Sequence, residues 1–315
     1  MGEIFCVTLS KIFVREAVVL DVLLIVCEQA FLYFPLVLGA YVSISLLKVP
    51  DLSIESAYVF GAICAARLMP ELTTMPLPFV LACMILFSLL GGLAVGGVVF
   101  LFTRIFHVPH LLASVLTIGL FHGINQLVLG TANYSLASFE NPLACFSIFI
   151  THPELFTLTL LFIVLSILGA FLFKTQLGYS FLIYGNNPAF FANYGISSKY
   201  VFCAGLLFAN ALAGISGYCV AQSSSFVDIS AGFGMALFSL TCLILGKAIV
   251  RGRLFSIFVP IIGIFTYCII QQLLLKVGFN LKYFTMIQSA IVLGILINQY
   301  RHGALRKNKI DNLGV

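Results

Sequence analysis

This sequence contains few charged residues. Only 9% of its 315 residues are charged, whereas 61% are hydrophobic. A water-soluble domain carries about 25% charged residues, so this chain has too few to cover a surface that faces water. The bilayer is the predicted solvent, and the loops leave no room for a catalytic ATPase module. The net charge is +5, and the basic residues lie at the ends of apolar segments. Their positions therefore indicate the orientation in the membrane and no nucleic-acid partner.

The sequence also lacks the motifs of common membrane-associated enzymes. It has no HExxH and no CxxC among its nine cysteines. Its only Gly-Lys pair is Gly246-Lys247, and Thr241 stands where a nucleotide-binding P-loop has glycine. These absences predict a chain without catalytic residues, without a metal site and without a cofactor of its own.

One enzyme pattern is present. Residues 214–217 read GISG, the pattern that carries the nucleophilic serine of rhomboid-type intramembrane proteases. Such a serine needs a base within hydrogen-bond reach, and only His122 would reach Ser216, through an unexpected helix contact. Small residues also let helices pack closely in a membrane, and we favour that interpretation.

Nine apolar runs approach or reach the ~20 residues that a membrane-spanning helix needs. The sequence therefore predicts an all-α polytopic membrane protein with about nine transmembrane helices within residues 22–300. An amphipathic lead-in at 1–21 is expected to lie on the membrane. The second run is the weakest, because Glu55 and Arg67 narrow its apolar core. The runs cover about 22–47, 51–69, 78–102, 109–130, 153–173, 200–221, 228–250, 254–276 and 283–300.

The distribution of Lys and Arg predicts the orientation, because these residues collect on the cytoplasmic side. The tail at 301–315 and the turn at 247–253 are rich in them, whereas the 131–152 loop has none. We therefore expect the basic tail and the polar segment 184–197 in the cytoplasm and the 131–152 loop outside. Nine spans place the N-terminus outside; if 51–69 dips in and out of the membrane, the N-terminus is inside.

Two short matches predict an internal repeat. Tyr41 is followed after ten residues by Asp51-Leu52-Ser53, and Tyr218 after ten residues by Asp228-Ile229-Ser230. With nine spans, one aspartate begins a helix from the inside and the other from the outside. Spans 1–4 then mirror spans 6–9 as an inverted repeat, an arrangement common in transporters.

The polar segment YGNNPAFFANYGIS at 184–197 interrupts two apolar runs. Asn187-Pro188 suits the start of a helix and Gly195 suits its end. We expect a short helix between two spans, with Phe190, Phe191 and Tyr194 on its faces. Exposed aromatic side chains of this kind need a partner protein to cover them.

This segment resembles the coupling helix of ABC-importer permeases in the superfamily of branched-chain amino acid and ribose permeases. The resemblance covers most of residues 28–250 in the family's order, and it is greatest to permeases for aromatic amino acids, including tryptophan. The chain departs from the family at Ala189–Asn193, where relatives carry a charged residue, and at Lys247, where relatives often have Glu. The other matching blocks are VPDLSIESAYVFGA (49–62), LLASVLTIGLFHGINQLVLGTAN (111–133) and NALAGISGYCVAQSSSFVDISAGFGMALFSLTCLILG (210–246).

The resemblance implies a permease subunit in the bacterial inner membrane that moves a small organic solute, an amino acid of aromatic type, by alternating access. The implied partners are a cytoplasmic ATP-binding subunit that holds ATP and Mg²⁺, an external solute-binding protein and a second permease copy in a homodimer. A stand-alone secondary carrier stays the main alternative.

The resemblance also assigns two sets of site residues. Each pathway residue has an alternative interpretation as a helix cap or an interhelical hydrogen bond. The contact with the ATPase subunit is expected at Gly185, Asn187, Pro188, Phe190, Phe191, Gly195 and Ile196. The translocation pathway is expected at Asp51, Ser53, Glu55, Asn125, Asn210, Gln222, Asp228 and Ser230.

Overall fold

The structure, a computed structural model, describes residues 2–145, 153–195, 197–250 and 256–280, together with 286, 288–290 and 293–294. For residues 2–20 and Ala192 only the backbone is described. The helices are α1 (Gly2–Ala40), α2 (Ile54–Leu68), α3 (Leu77–Arg104), α4 (His110–Leu129), α5 (Pro153–Lys174), α6 (Gln176–Asn186), α7 (Phe190–Asn193), α8 (Ser198–Ser224), α9 (Met235–Ile249) and α10 (Phe258–Lys276). Two strands, β1 (Asn133–Ser135) and β2 (Phe226–Asp228), a π-helix at Tyr41–Leu46 and 3₁₀ turns at Met69–Leu72, Pro142–Ala144 and Ile229–Gly232 complete the elements.

Seven helical segments among the described residues are long and apolar enough to cross a bilayer, and each matches a predicted span. The chain is therefore a multi-pass helical membrane protein. Helix α2 has 15 residues, fewer than the ~20 that a full crossing needs, and the predicted span at 283–300 lies mostly outside the described residues. The count of nine spans stays a prediction. The seven segments are Asp21–Leu46, Leu77–Arg104, His110–Leu129, Pro153–Lys174, Ser198–Ser224, Ile229–Ile249 and Phe258–Lys276.

Contacts between helix ends define the two ends of the bundle. Lys48, just after the π-helix, donates a hydrogen bond to the side chain of Asn186 at the end of α6. At the opposite end, the Arg67 guanidinium in the last turn of α2 donates to the carbonyl of Val128 in α4. We call the end with Lys48, Arg104 and the polar segment the basic end and the other the outer end. The positive-inside rule assigns the basic end to the cytoplasm.

Helix α8 lies at the centre of the bundle and packs against α1, α2 and α3. Three glycines meet where it crosses two of these helices: Gly61 of α2, Gly92 of α3 and Gly214 of α8. A Cβ on Gly61 would overlap the Cα of Gly214, and a Cβ on Gly92 would overlap the carbonyl oxygen of Asn210. The backbones therefore touch, as small-residue faces allow in membranes. The packing interpretation of GISG is confirmed.

Two three-residue strands at the outer end add to the predicted all-α architecture. Strand β1 pairs antiparallel with β2, with Asn133 opposite Asp228, and the Leu136 amide donates to the Ser225 carbonyl at 2.8 Å. The pairing joins the loop after α4 to the turn after α8. Runs this short carry no alternating pattern of their own, so the sequence did not indicate them.

The two segments behind the predicted repeat share one local geometry. The Ser53 amide donates to Asp51 Oδ1 at 2.9 Å, and the Ser230 amide donates to Asp228 Oδ1 at 2.8 Å. Each aspartate thus makes the same side-chain turn before a helical segment. The shared turn agrees with a repeat, whose inverted symmetry stays a prediction.

The predicted lead-in and the first span form one continuous backbone helix, α1. Pro35 lies inside it, where it removes one backbone hydrogen bond, and the chain widens into the π-helix at Tyr41–Leu46. The Tyr41 hydroxyl accepts a hydrogen bond from the Ser256 amide at 3.0 Å, which ties this wide turn to the start of α10. The position of residues 1–21 on the membrane surface stays a prediction.

Gly92→Ala should destabilise the protein, because an added Cβ overlaps backbone atoms of α8 that cannot move independently. Overpacking of this kind costs about 1–3 kcal/mol. Gly97→Ala is the matched control on the same helix, because no described heavy atom lies within 4 Å of a Cβ there. Alanine at that site should be neutral or stabilising by up to about 1 kcal/mol. Thermal unfolding midpoints of the detergent-purified variants check this, and equal midpoints would refute the close crossing.

Candidate functional site

The polar segment (184–197) follows α6 and contains one short helix. Helix α7 has a single turn, Phe190–Asn193, preceded by a turn in which the Phe190 amide donates to the Asn187 carbonyl at 3.2 Å. Gly195 has φ +68, the left-handed conformation that commonly ends a helix. The helix is shorter than the sequence indicates, since Asn187 and Pro188 form the turn before it. Ile196 lies outside the described residues.

The aromatic side chains of this segment face in different directions. Phe190 and Tyr194 are 37% and 67% exposed, and their ring centroids are 4.7 Å apart. Phe191 is only 4% exposed, so it packs inside the chain and does not present a surface. Neighbouring residues on a helix point about 100° apart, which explains why Phe190 and Phe191 cannot both face outward. The prediction of an accessible Phe191 is corrected to a buried anchor.

Two contacts connect the polar segment to the π-helix that ends the first span. Lys48 Nζ donates to Asn186 Oδ1 at 2.6 Å, and the Lys48 backbone has φ +56, an uncommon conformation for a residue with a side chain. Gly185 packs directly on the chain before it, since a Cβ at this position would overlap the carbonyl oxygen of Leu46. A displacement of the segment therefore acts directly on the end of the first span.

A third contact connects the polar segment to α3 and α8. The Arg104 guanidinium, at the end of α3, donates to the Tyr184 hydroxyl and lies 4.5 Å from the centre of the Phe202 ring in α8. A cation over an aromatic face is attractive, more so where water is excluded. Three long helices thus meet the polar segment at the basic end.

Three predicted pathway residues form a buried hydrogen-bonded cluster, the Asp51 cluster (Asp51, Ser53 and Asn210). Asp51 Oδ1 accepts from the Ser53 hydroxyl at 2.6 Å, and Asp51 Oδ2 accepts from Asn210 Nδ2 at 2.9 Å. All three residues are at most 2% exposed. A carboxylate at such a place is tolerated because its oxygens are paired. The cluster joins the start of α2 to the middle of α8.

His110 also belongs to this region, which the sequence did not reveal. Its Nε2 lies 3.9 Å from Asp51 Oδ1, and its ring meets the Phe202 ring edge-on at a centroid distance of 5.5 Å. Helix α4 begins at His110. The inward direction of the side chain depends on how α4 packs against α2 and α3.

Glu55 lies one turn further along and acts on a different helix. Its Oε1 accepts from the Gly234 amide at 3.0 Å and from the Ala236 amide at 3.3 Å. These amides open α9, where unpaired N–H groups and the helix dipole favour a negative charge. Glu55 therefore caps α9 from across the bundle.

A cleft between α2, α4 and the turn before α9 contains two predicted pathway residues. Its volume is about 20 Å³, room for about one water-sized group. The Asn125 side chain on its wall is 3% exposed, and Asn125 Oδ1 has no hydrogen-bond partner among the described residues. His122 and Phe233, which were not predicted, lie beside it with ring centroids 6.4 Å apart.

The remaining pathway residues lie elsewhere. Gln222 is 3% exposed, and its Nε2 is 4.0 Å from the sulfur of Met69 near the outer end. Asp228 and Ser230 form the turn at the outer end that follows β2. The structure therefore brings three predicted residues into the Asp51 cluster and two into the cleft, and leaves three outside both.

The serine of GISG lies in a helix–helix contact. Ser216 is fully buried, and its hydroxyl donates to the Leu32 carbonyl of α1 at 2.8 Å. His122 lies on the wall of the cleft instead. In the part of the chain that the structure describes, no group of three or more His, Cys, Asp or Glu side chains is placed to hold a metal ion.

Glu28 of α1 lies near the outer end. It accepts from the Ser223 hydroxyl at 3.4 Å and shares an outer-end cleft with Asp21 and Glu154.

Comparison with known proteins agrees with these features. A family described as the branched-chain amino acid transport system permease component matches residues 22–296. A protein of Rickettsia prowazekii (strain Madrid E), named as uncharacterized, is 28% identical over 88% of this chain and 96% of its own length. The tyrosine transport system permease protein of Clostridioides difficile (strain R20291) is 27% identical over 90% of this chain and 92% of its own length. No solved structure matches significantly.

The Asp51 cluster should be energetically coupled across α2 and α8. Asn210→Leu removes a hydrogen bond to a buried charged group, which typically contributes about 1.5–3 kcal/mol. In a double-mutant cycle with Asp51→Asn, the loss of unfolding free energy in the double variant should therefore differ from the sum of the two single losses by about 1 kcal/mol or more. Unfolding free energies of the purified variants measure this. Asp51→Asn with Gln222→Leu is the control pair, which should add because the two residues share no partner; additive losses in both cycles would contradict the cluster.

Proposed function

We propose, because the chain belongs to the branched-chain amino acid transport permease family, that it is the membrane-spanning subunit of an ATP-driven importer for an amino acid of aromatic type. The chain contributes the pathway and no chemistry of its own. A separate cytoplasmic subunit binds ATP with Mg²⁺ and hydrolyses it. An external solute-binding protein delivers the solute, and a second copy of the chain completes a homodimer in the bacterial inner membrane.

The observation that carries this proposal is the polar segment at the basic end. It exposes Phe190 and Tyr194 together, 37% and 67% exposed, in a polar segment between two helices. Aromatic groups exposed together to water mark an interaction site. A cytoplasmic ATPase subunit that binds this segment would cover both rings.

The contacts behind the segment support a mechanical role for it. Lys48, Gly185 and Arg104 connect it to α1, α3 and α8. Movement of an ATPase subunit during ATP binding would reach three long helices through side chains that already touch. Packed interfaces of this kind switch between discrete arrangements and do not deform continuously, which is what alternating access requires.

The proposal of an aromatic substrate rests on a single relative. The permease from Clostridioides difficile is named for tyrosine transport. Aromatic side chains also line the cleft of this chain, where Phe233 faces His122. We assign the cleft and the Asp51 cluster to the pathway, the first toward the outer end and the second between α2 and the middle of α8.

A stand-alone secondary carrier is the second candidate. The pair that favours it is Asp51 with His110, a buried carboxylate whose Oδ1 is 3.9 Å from an imidazole nitrogen. Such pairs form proton relays in proton-coupled carriers. The polar segment would have no part in that mechanism, so the same experiment separates the two candidates.

Purification of the tagged chain under mild conditions should bring an ATP-binding subunit with it. Phe190→Asp should abolish this copurification, because a charge replaces an exposed apolar contact, while the buried Phe191 is left in the sequence. Phe226→Asp is the matched control, an aromatic residue 49% exposed at the outer end, and it should retain the subunit. Mass spectrometry of the eluate identifies the partner.

The opposite result is equally informative. If no ATP-binding subunit copurifies with the unmodified chain, and the pure chain in vesicles accumulates tyrosine under a proton gradient alone, then the importer proposal fails and the secondary carrier replaces it. If the subunit remains bound to Phe190→Asp, the polar segment is not the contact.

A further inference from the structure

Asn125 is the least satisfied polar side chain in the cleft. It is 3% exposed, yet Asn125 Oδ1 lacks a hydrogen-bond donor among the described residues. A buried acceptor without a donor is unfavourable, and native proteins rarely keep one without a reason. The side chain lines the cleft, so a molecule that enters it can supply the missing donor.

Glu55 offers a second acceptor in the same cleft. Only Oε1 is engaged, by the amides of Gly234 and Ala236. Oε2 makes no hydrogen bond to the described residues, and no Lys or Arg lines the cleft. The carboxylate thus has one oxygen without a partner among the described residues, in a cleft that Asn125 also lines.

The other walls suit an apolar body rather than a second charge. Val59 and Ile118 are aliphatic, and Phe233 is 64% exposed beside the opening. An aromatic face also attracts a cation. The cleft itself has a volume of about 20 Å³, room for about one water-sized group. It therefore fits only the head of a solute, whose remainder extends through the open side.

From this arrangement we infer that the cleft is a subsite for the ammonium group of the transported solute, held between Glu55 and Asn125 with its apolar part against Phe233. An ammonium group has three N–H donors and a positive charge, which match the two acceptors and the carboxylate. A solute carboxylate would find no cationic partner here. The inference rests on the proposed transport function and names the head group that this pathway selects.

The test uses the fluorescence of one introduced tryptophan as the reporter of binding. The sequence contains no tryptophan, so Phe233→Trp introduces a single one at the opening of the cleft, and its exposure leaves room for the larger ring. The purified full-length variant in detergent is titrated with 2-phenylethylamine and with 3-phenylpropionate, which share a ring and chain and differ in the charged head. The amine should change the tryptophan emission saturably, whereas the carboxylate should not.

Substitutions at two positions in the reporter background locate the head group. Glu55→Gln keeps an oxygen for the amides of α9 but removes the charge, and it should raise the Kd for the amine at least about tenfold. Asn125→Asp adds a negative charge opposite Glu55 and should lower that Kd, whereas Asn125→Leu should raise it. Glu140→Gln, at an exposed carboxylate in the outer loop away from the cleft, should leave it unchanged.

An equal response to both probes, or an unchanged Kd in a folded Glu55→Gln variant with a wild-type unfolding midpoint, would overturn the subsite. The result is independent of the ATPase partner. If the chain binds the amine but copurifies with no ATP-binding subunit, the subsite is supported and the importer proposal is contradicted. If the chain copurifies with that subunit but binds the two probes alike, the importer proposal is supported and the subsite is contradicted.

Discussion

The close crossing of α8 with α2 and α3 is the contact on which the rest of the structure depends. In a bilayer, lipid surrounds an apolar side chain as favourably as a neighbouring helix does, so helices associate through close packing and polar contacts. Gly61, Gly92 and Gly214 bring three backbones together. That approach places Asn210 within 2.9 Å of Asp51, a bond that bulkier residues at the crossing would prevent.

The two ends of the bundle then differ in what they do. At the basic end, the polar segment meets the first span, α3 and α8 through side chains and backbone in direct contact. Toward the outer end, the cleft presents unsatisfied polar atoms between α2, α4 and the turn before α9. The Asp51 cluster lies between these regions. It joins the start of α2, the helix that carries Glu55 of the cleft, to α8, whose Phe202 contacts Arg104 beside the polar segment. A signal from one end to the other therefore has a continuous, well-packed route.

The sequence predicted the features that depend on local composition. Apolar runs gave the spans, and Gly195 gave the end of a short helix in the polar segment. It did not predict which side of a helix turns inward. Phe190 and Phe191 are equivalent in sequence but opposite in exposure, and His110 was indistinguishable from a boundary residue. Glu55 and Asp51 were grouped together, yet one caps α9 and the other binds Asn210. These differences arise from helix packing, which single-sequence patterns do not contain.

The cap that Glu55 places on α9 constrains how this bundle can rearrange. Any motion that separated α2 from the start of α9 would strip the acceptor from the Gly234 and Ala236 amides in a region where water is scarce. Unsatisfied backbone groups in such surroundings cost several kcal/mol each. We therefore expect the short helix α2 and the first turn of α9 to move together, so that the sliding surface of a transport cycle lies on another side of them. Strand β2, paired with β1, contacts α2 at the outer end, which gives this 15-residue helix anchorage that its own length does not provide.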